Sequence, residues 1–158
     1  MLVKKTNAMR ILDAKHISYI EYHYEVKDDF ESMHVVEVLN QPAEKIYKTL
    51  VTEGKSKKNY VFVIPIIHEL NLKKAAKVVR EKSIAMIPMK EILPLSGYIR
   101  GGCSPIGMKK QFETVLDESA KNQQGIIVSG GKRGFHIELS PDDLLFAVNG
   151  RYANISSN

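Results

Sequence analysis

Apolar residues recur three or four positions apart in four stretches of the chain, which is the spacing of one face of an α-helix. These stretches are 6–15, 32–39, 71–82 and 140–149, and single helical turns are predicted at 42–46 and 90–93. Thr6 can cap the first helix and Pro141 fits the first turn of the last. The pattern therefore predicts four helices, and the one at 71–82 has a lysine-rich outer face.

Runs rich in β-branched and aromatic residues predict eight strands. They occupy residues 18–26, 46–51, 60–67, 84–87, 96–100, 112–116, 125–129 and 135–139. A polar turn makes the second and third strands a hairpin, and Pro65 predicts that the third strand lies at an edge or contains a bulge. Helices and strands mix without strict βαβ alternation, which favours an α+β fold with a mixed sheet over a doubly wound one.

Length and composition indicate one globular domain, which we expect to span residues 1–158. The chain has 44% hydrophobic and 26% charged residues, a composition that excludes a disordered protein. No apolar run approaches the roughly 20 residues that cross a bilayer, and the N-terminal stretch lacks the apolar segment of a secretory signal. Cys103 is the single cysteine, so we expect no internal disulfide and a cytoplasmic location.

The net charge of +5 is unevenly distributed along the chain. Residues 1–20 carry +3, residues 21–44 carry −6 and residues 45–158 carry +8. A long basic part suggests a polyanionic partner such as nucleic acid, although lysine-rich surfaces also serve solubility alone.

Lys48 is the first candidate for chemistry. In a strand it shares one face with Ile46 and Leu50, and a lysine among apolar neighbours is costly to bury without a partner. The alternative is that the ammonium reaches water past an apolar stem.

The stretch from Gly101 to Lys110 is a second candidate, because paired glycines at a strand end let a ligand approach backbone amides. Its spacing is nearly that of a P-loop, yet Met108 stands where the lysine must be, which argues against a nucleoside triphosphatase. Cys103 could be a nucleophile here, but a sequence cannot show a matched histidine partner, and a small residue in a tight turn is the favoured interpretation.

The stretch from Ser129 to Gly134 is the third candidate, since it joins glycines to Lys132 and Arg133 and could hold a phosphate or carboxylate. A hairpin turn with solvated charges is the alternative. The five histidines show no metal-ligand spacing, so no metal and no other cofactor is expected.

Four of these segments together resemble a known family. The motifs IYKTL, LNLKKAAK, SGYIRGGCSPIGMKK and IIVSGGKRGFHIEL, followed by a DDL helix, occur in one order and at compatible spacings. They resemble the YbaK family of aminoacyl-tRNA deacylases, which is related to the editing domain inserted in bacterial prolyl-tRNA synthetases. The likeness runs from about Ala8 to Ala153, and it implies a mostly antiparallel, barrel-like core.

The resemblance implies a catalytic set, a substrate-binding set and a tRNA-binding set. The family's essential lysine corresponds to Lys48, and the amides of Gly101 and Gly102 are expected to stabilise an oxyanion. The expected substrate-binding residues are Tyr24, Thr49, Ser104, Pro105, Ser129, Gly130, Gly131 and His136. The residues expected to hold tRNA phosphates are Lys132, Arg133 and the lysines of the helix that starts near residue 72.

Two positions are ambiguous. The family's pocket tyrosine aligns best with Tyr24, although Tyr22 lies on the same strand face. A family relative has an aspartate where this chain has His136, so the role of position 136 is open.

The activity implied is trans-editing of Cys-tRNA(Pro), in which the thiol of the attached cysteine attacks its own ester. The implied partners are the acceptor end of an aminoacylated tRNA and prolyl-tRNA synthetase. Three alternatives remain: a deacylase for another mischarged tRNA such as Ala-tRNA(Pro), a non-catalytic module that binds tRNA or a synthetase, and an unrelated phosphate-ligand binder.

Overall fold

The computed structural model describes residues 4–26 and 32–157. Five α-helices are present in this part of the chain, and three short 3₁₀ turns join other elements. The helices are α1 (Asn7–Ala14), α2 (Ser32–Leu39), α3 (Leu72–Val79), α4 (Ile92–Ser96) and α5 (Pro141–Val148), and the 3₁₀ turns are Ala43–Lys45, Met89–Glu91 and Glu118–Asn122. The capping predicted from the sequence is confirmed at α1, where the Thr6 side chain accepts from the Met9 amide.

Ten strands form three sheets in the described residues. They are β1 (Ile20–His23), β2 (Tyr47–Gly54), β3 (Asn59–Pro65), β4 (Glu69–Leu70), β5 (Ile84–Met86), β6 (Glu113–Asp117), β7 (Ile126–Lys132), β8 (Phe135–Leu139), β9 (Arg151–Ala153) and β10 (Ser156–Ser157). The larger sheets have the orders β5-β2-β3-β6-β9 and β1-β8-β7, and β4 pairs with β10. Only β3–β6 and β6–β9 are parallel among these strand pairs, so the α+β class and the mostly antiparallel pairing are confirmed.

The two larger sheets meet at one isolated parallel bridge, between Ile46 and Ile127. β3 occupies one edge of β2. β7 must therefore approach the other edge, which also pairs with β5. Pairing with β5 begins at Thr52, and the Ile87 amide donates to the Val51 carbonyl. Between the bridge at Ile46 and the β5 and Ile87 contacts that begin at Val51, this edge of β2 has no strand partner among the described residues. The sheets therefore diverge there, and the described strands do not close into a barrel.

Strand alternation gives the β7–β8 layer two different faces. Val128 and Ile137 point into the largest core cluster, which packs against Met9 and Leu12 of α1. Ile127 points the other way and packs with Ile46 in a smaller cluster. The second face is the one that the diverging sheets leave open.

Two sequence predictions about the strands are wrong. Residues 96–100 are not a strand: α4 ends at Ser96, and Gly97, with a φ of 86°, donates its amide to the Leu93 carbonyl and closes the helix. The third predicted strand is not an edge strand, because β3 lies at the centre of its sheet. Pro65 is tolerated because it is the last residue of β3, beyond the pairing with β6, which ends at Val63.

Other predicted strands differ in length, and some elements were missed. The first strand covers only Ile20–His23, and β4, β9, β10 and the 3₁₀ turn Glu118–Asn122 were not predicted. The missed strands have two or three residues, too few for a recognisable alternation.

A buried carboxylate links the C-terminal strands to β2. Asp117 is 3% exposed, and it accepts hydrogen bonds from the amides of Ile155 and Ser156 and from the Ser119 hydroxyl. Because the Ser119 proton is directed at Asp117, the Tyr47 hydroxyl donates to Ser119 Oγ at 2.8 Å. This chain of bonds fixes the residue that precedes Lys48.

We predict that Asp117→Ala lowers the free energy of unfolding by about 2–4 kcal/mol, because two buried backbone amides and a hydroxyl lose their acceptor. Urea unfolding followed by circular dichroism measures this change. Glu118→Ala is the matched control at an exposed neighbour. A loss below about 1 kcal/mol for Asp117→Ala would show that water replaces the carboxylate.

Candidate functional site

A cavity of about 550 Å³ lies where the two sheets diverge. Its wall combines apolar side chains, three cations and several neutral polar groups, and no carboxylate of the described residues lines it. The lining residues are Val35, Ile46, Tyr47, Lys48, Thr49, Leu50, Ile66, Arg100, Gly101, Cys103, Ser129, Arg133 and His136. Segments far apart in the chain thus form one basic-edged pocket.

Strand register brings three predicted site residues into one row. Ile46 and Ile127 face each other across the parallel bridge, so Lys48 and Ser129 each lie two residues further on and on the same face. His136 is the cross-strand partner of Ser129. The row Lys48, Ser129, His136 therefore follows from a single pairing between the sheets.

Lys48 is half-buried on this wall. No hydrogen bond or ion pair to its ammonium occurs within residues 4–26 and 32–157. Burial lowers the pKa of Lys48, and the charge of Glu69 opposes this shift only in part. The ammonium is thus only partly solvated, and it is available to bind a ligand. The alternative interpretation, in which the tip of the side chain simply reaches water, does not account for this environment.

His136 is buried in the same cavity wall, beside Ser129, with 5% of its surface exposed. The imidazole stacks on Tyr24 at a centroid distance of 5.6 Å, and both His136 Nδ1 and Tyr24 Oη are buried without a hydrogen-bond partner in the part of the chain that the structure describes. Burial lowers the pKa of His136 to about 4 and raises that of Tyr24 to about 12. Both groups are therefore neutral near pH 7.

The two candidate tyrosines have different environments. Tyr24 contacts His136, whereas the Tyr22 hydroxyl donates to Glu138 Oε1 at 2.6 Å. Tyr24 therefore contacts the cavity wall through His136 but does not itself line the cavity, and its role as the pocket tyrosine stays a prediction. Thr49 lines the cavity, and its Oγ1 is buried without a partner among the described residues.

The first glycine loop, Gly101 to Lys110, packs directly on the second glycine loop, Ser129 to Gly134. A Cβ at Gly102 would lie 2.9 Å from the Arg133 amide nitrogen, so a side chain there would separate the loops. The Gly102 amide donates to the Ile99 carbonyl at 3.0 Å, and it is therefore not free to bind an oxyanion as predicted. Gly101, with a φ of 84°, is the glycine of this pair that lines the cavity.

Ser104 and Pro105 are buried and do not line the cavity. The Ser104 hydroxyl accepts from the Ile106 amide, and this bond stabilises the loop that places Gly101. Both residues therefore support the loop instead of contacting a ligand in the cavity.

In the second loop, Ser129 lines the cavity, whereas Gly130 and Gly131 do not. Ser129 Oγ accepts from the Gly131 amide, and the Gly130 carbonyl accepts from the Thr6 hydroxyl. Lys132 is exposed, with its ammonium 5.0 Å from the Phe135 ring centroid.

Arg133 joins the two loops, because its Nε donates to the Arg100 carbonyl at 2.9 Å. Arg100 also lines the cavity, and the sequence prediction missed it, although its position directly before the paired glycines was a usable signal. The apolar wall was missed too, since Val35 and Ile66 come from a helix and a turn with no sequence motif.

None of the described residues that line the cavity is an activated nucleophile. Burial raises the pKa of Cys103 to about 11, so its thiol is protonated near pH 7. Ser129 and His136 are cross-strand partners, yet no hydrogen bond joins their side chains and Nδ1 of His136 has no orienting partner. A nucleophile–base pair needs both contacts.

Residues 4–26 and 32–157 contain no group of three or more His, Cys, Asp or Glu side chains that could hold a metal ion. No helix among them is long and apolar enough to cross a membrane.

A family model described as the aminoacyl-tRNA editing domain matches residues 30–147, which include Lys48, both glycine loops and His136. The chain belongs to this family. The editing domain thus supplies every cavity-lining residue, and the resemblance inferred from the sequence motifs is confirmed.

Similar proteins include both free-standing chains and parts of a synthetase. EbsC of Enterococcus faecalis, a proposed Cys-tRNA(Pro)/Cys-tRNA(Cys) deacylase, is 46% identical over 155 residues that cover 98% of this chain and 94% of EbsC. The proline–tRNA ligase of Thermosipho africanus is 32% identical over 116 residues, which cover 73% of this chain and 20% of the ligase. The predicted relation to prolyl-tRNA synthetase is therefore confirmed.

The crystal structure of a proposed trans-editing enzyme for prolyl-tRNA synthetase superposes on this chain with a TM-score of 0.81. The alignment covers 99% of this chain and 100% of that chain at 20% sequence identity. At this identity the likeness establishes the editing-domain fold.

We predict that Cys103 in the folded protein reacts with a disulfide reagent at pH 8 at least about 100-fold more slowly than in the unfolded chain, because thiolate is the reactive form. The reaction of the native and urea-unfolded protein with Ellman's reagent measures the ratio. Comparable rates would show that the cavity activates this thiol.

We predict that His136 makes the folded protein less stable in acid. Its pKa is lowered to about 4 in the folded protein, so between about pH 6.5 and 4 the unfolded chain binds more protons and stability falls as pH falls. His136→Gln removes this contribution, and the advantage of the wild type should shrink by roughly 3 kcal/mol from pH 7 to pH 4. Denaturant unfolding of both proteins across this range measures the difference, and a constant difference would contradict the prediction.

Proposed function

We propose that this chain is a trans-editing deacylase that removes cysteine from Cys-tRNA(Pro), with Cys-tRNA(Cys) as a second substrate. The observation that carries the proposal is the half-buried ammonium of Lys48, which has no ion-pair partner and no carboxylate beside it in the cavity among the described residues. Membership of the editing family and the 46% identity to EbsC support the same reaction. The chain would act as one editing domain in the cytoplasm.

The chemical step fits a cavity that has no nucleophile of its own. The substrate's cysteine thiolate attacks the carbonyl carbon of its own ester, and the bond from that carbon to the ribose oxygen breaks. The products are a four-membered thiolactone and tRNA whose ribose oxygen takes up a proton. A thiol with a pKa near 8.5 is a strong nucleophile without an enzymic base.

Lys48 would stabilise the negative charge that develops on the carbonyl or ribose oxygen. Its lowered pKa also makes the ammonium a better proton donor to the leaving oxygen than an exposed lysine. The amide of Gly101 is the remaining candidate for an oxyanion donor. The neutral Tyr24 and His136 would line the aminoacyl group without adding another positive charge.

Cations at the rim of the cavity are placed to bind the tRNA end. Arg100 and Arg133 line the cavity, Lys132 is exposed beside them, and such contacts to phosphates give salt-dependent affinity. The exposed Lys73 and Lys77 of α3 extend the basic surface. Prolyl-tRNA synthetase is the proposed source of the mischarged tRNA. A separate editing site is useful because one binding pocket distinguishes amino acids of similar size by only a few kcal/mol.

A deacylation panel over Cys-, Ala-, Ser- and Pro-tRNA(Pro) tests the proposal. We predict rapid release of cysteine and slow release of the other three, because only cysteine carries the thiol that performs the attack. Lys48→Ala should abolish release of cysteine while the variant stays folded, as judged by circular dichroism.

The same panel separates the alternatives. Rapid release of alanine would identify an alanyl-tRNA deacylase, and tRNA binding without any release would identify a non-catalytic module. Cys103→Ser should retain most of the activity, and a loss of several orders of magnitude would return the nucleophile to the enzyme. Full activity of Lys48→Ala would remove that lysine from the mechanism.

A further inference from the structure

The contact between the two sheets lies beside a carboxylate that the proposed reaction does not use. Ile127, which forms the bridge to Ile46, is the cross-strand partner of Glu138. Lys45, the residue before Ile46, reaches back to Glu138 Oε2 at 2.7 Å. The bridge and the ion pair therefore hold the start of β2 at the same point of the β7–β8 layer.

Glu138 binds two other elements at once. Its Oε1 accepts from the Tyr22 hydroxyl of β1 at 2.6 Å, and its Oε2 accepts from the Lys45 ammonium. The chain leaves room for this carboxylate, because a Cβ at Gly125 would lie 2.7 Å from Oε2. The glutamate thus ties β8 to β1 and to the segment that enters β2.

The ion pair is partly shielded from solvent. The Lys45 and Glu138 side chains are 24% and 13% exposed, whereas exposed ion pairs contribute little to stability. Burial favours the neutral acid, yet the hydrogen bonds from Lys45 and Tyr22 hold the pKa of Glu138 below its ordinary value. Glu138 is therefore a carboxylate at neutral pH.

Because the Lys45–Glu138 pair lies at the start of β2, the position of Lys48 depends on it. Lys48 follows Lys45 by three residues, and it reaches the row with Ser129 and His136 only while the start of β2 stays against β7. Between Ile46 and Val51 no strand of residues 4–26 and 32–157 supports that edge of β2. A displacement at Lys45 would therefore change the distance between Lys48 and the opposite wall of the cavity.

We propose that Glu138, through Lys45, is a positioning residue that holds Lys48 against the β7–β8 wall of the cavity. The role of this contact in catalysis rests on the proposed deacylase function. The inference that the contact holds the start of β2 against β7 rests on the geometry alone. The Glu138–Lys45 pair touches no substrate, and it acts through the backbone of β2.

Glu138→Gln tests the proposal, because the amide keeps an acceptor for Tyr22 but loses the ion pair. We expect kcat for Cys-tRNA(Pro) to fall at least about tenfold, since small displacements of a catalytic group are costly. KM should stay within about twofold, because the rim cations that bind tRNA are untouched. Lys45→Met should reproduce the effect and Lys45→Arg should retain most of the activity, and these variants also serve if Glu138→Gln does not fold.

Amide hydrogen exchange gives a readout independent of activity. In Glu138→Gln, residues 45–48 and 127–129 should exchange faster while the β3–β6 pairing keeps its protection. The matched control is Glu53→Gln at the far end of β2, where the pair with Lys57 is exposed at 36% and 84% and spans 3.5 Å. This control should change neither exchange at the bridge nor kcat.

Unchanged exchange at the bridge in Glu138→Gln would overturn the proposal, and so would faster exchange with an unchanged kcat. An equal fall in kcat at unchanged KM in both glutamate variants would show a general loss of active protein and would also overturn it. A wild-type protein that deacylates none of the substrates would overturn the proposed function, and exchange would still decide whether Glu138 holds β2 against β7.

Discussion

One edge of β2 is shared by two strands that cannot both pair along it, and the functional cavity depends on this constraint. β7 touches the edge at Ile46 and β5 takes it from Val51 onward. Backbone polar groups that lack a strand partner must find water or a ligand. The divergence thus creates both the space and the polar main chain that a binding site needs.

The electrostatics of the cavity follow from the same divergence. Lys48 is placed on a wall with apolar neighbours and no carboxylate from the described residues, so its charge is neither fully solvated nor neutralised. His136 and Tyr24 are buried enough to be neutral. Glu138 lies on the same sheet face, but its charge is balanced by Lys45. The site therefore presents the Lys48 ammonium beside neutral polar groups, an arrangement suited to stabilising transient negative charge.

Sequence reasoning succeeded where the local pattern is strong. The four main helices and the strands of the hairpin were predicted from spacing, and Lys48 was singled out because its strand neighbours are apolar. It failed where a turn bond within the segment overrides what the residue composition suggests. Residues 96–100 have strand-like composition, yet the Gly97 amide closes a helical turn. The Gly102 amide was expected to be free, but a turn bond to Ile99 occupies it.

The sequence by itself determined the mixed α+β class, the family and most of the segments that meet at the candidate cavity, because caps, alternation and glycine motifs are local properties. Only the tertiary structure decided which residues meet. A single residue pair, Ile46 with Ile127, sets the register that aligns Lys48 with Ser129 and His136. Such pairing depends on side-chain packing between distant segments, and no pattern within either segment encodes it.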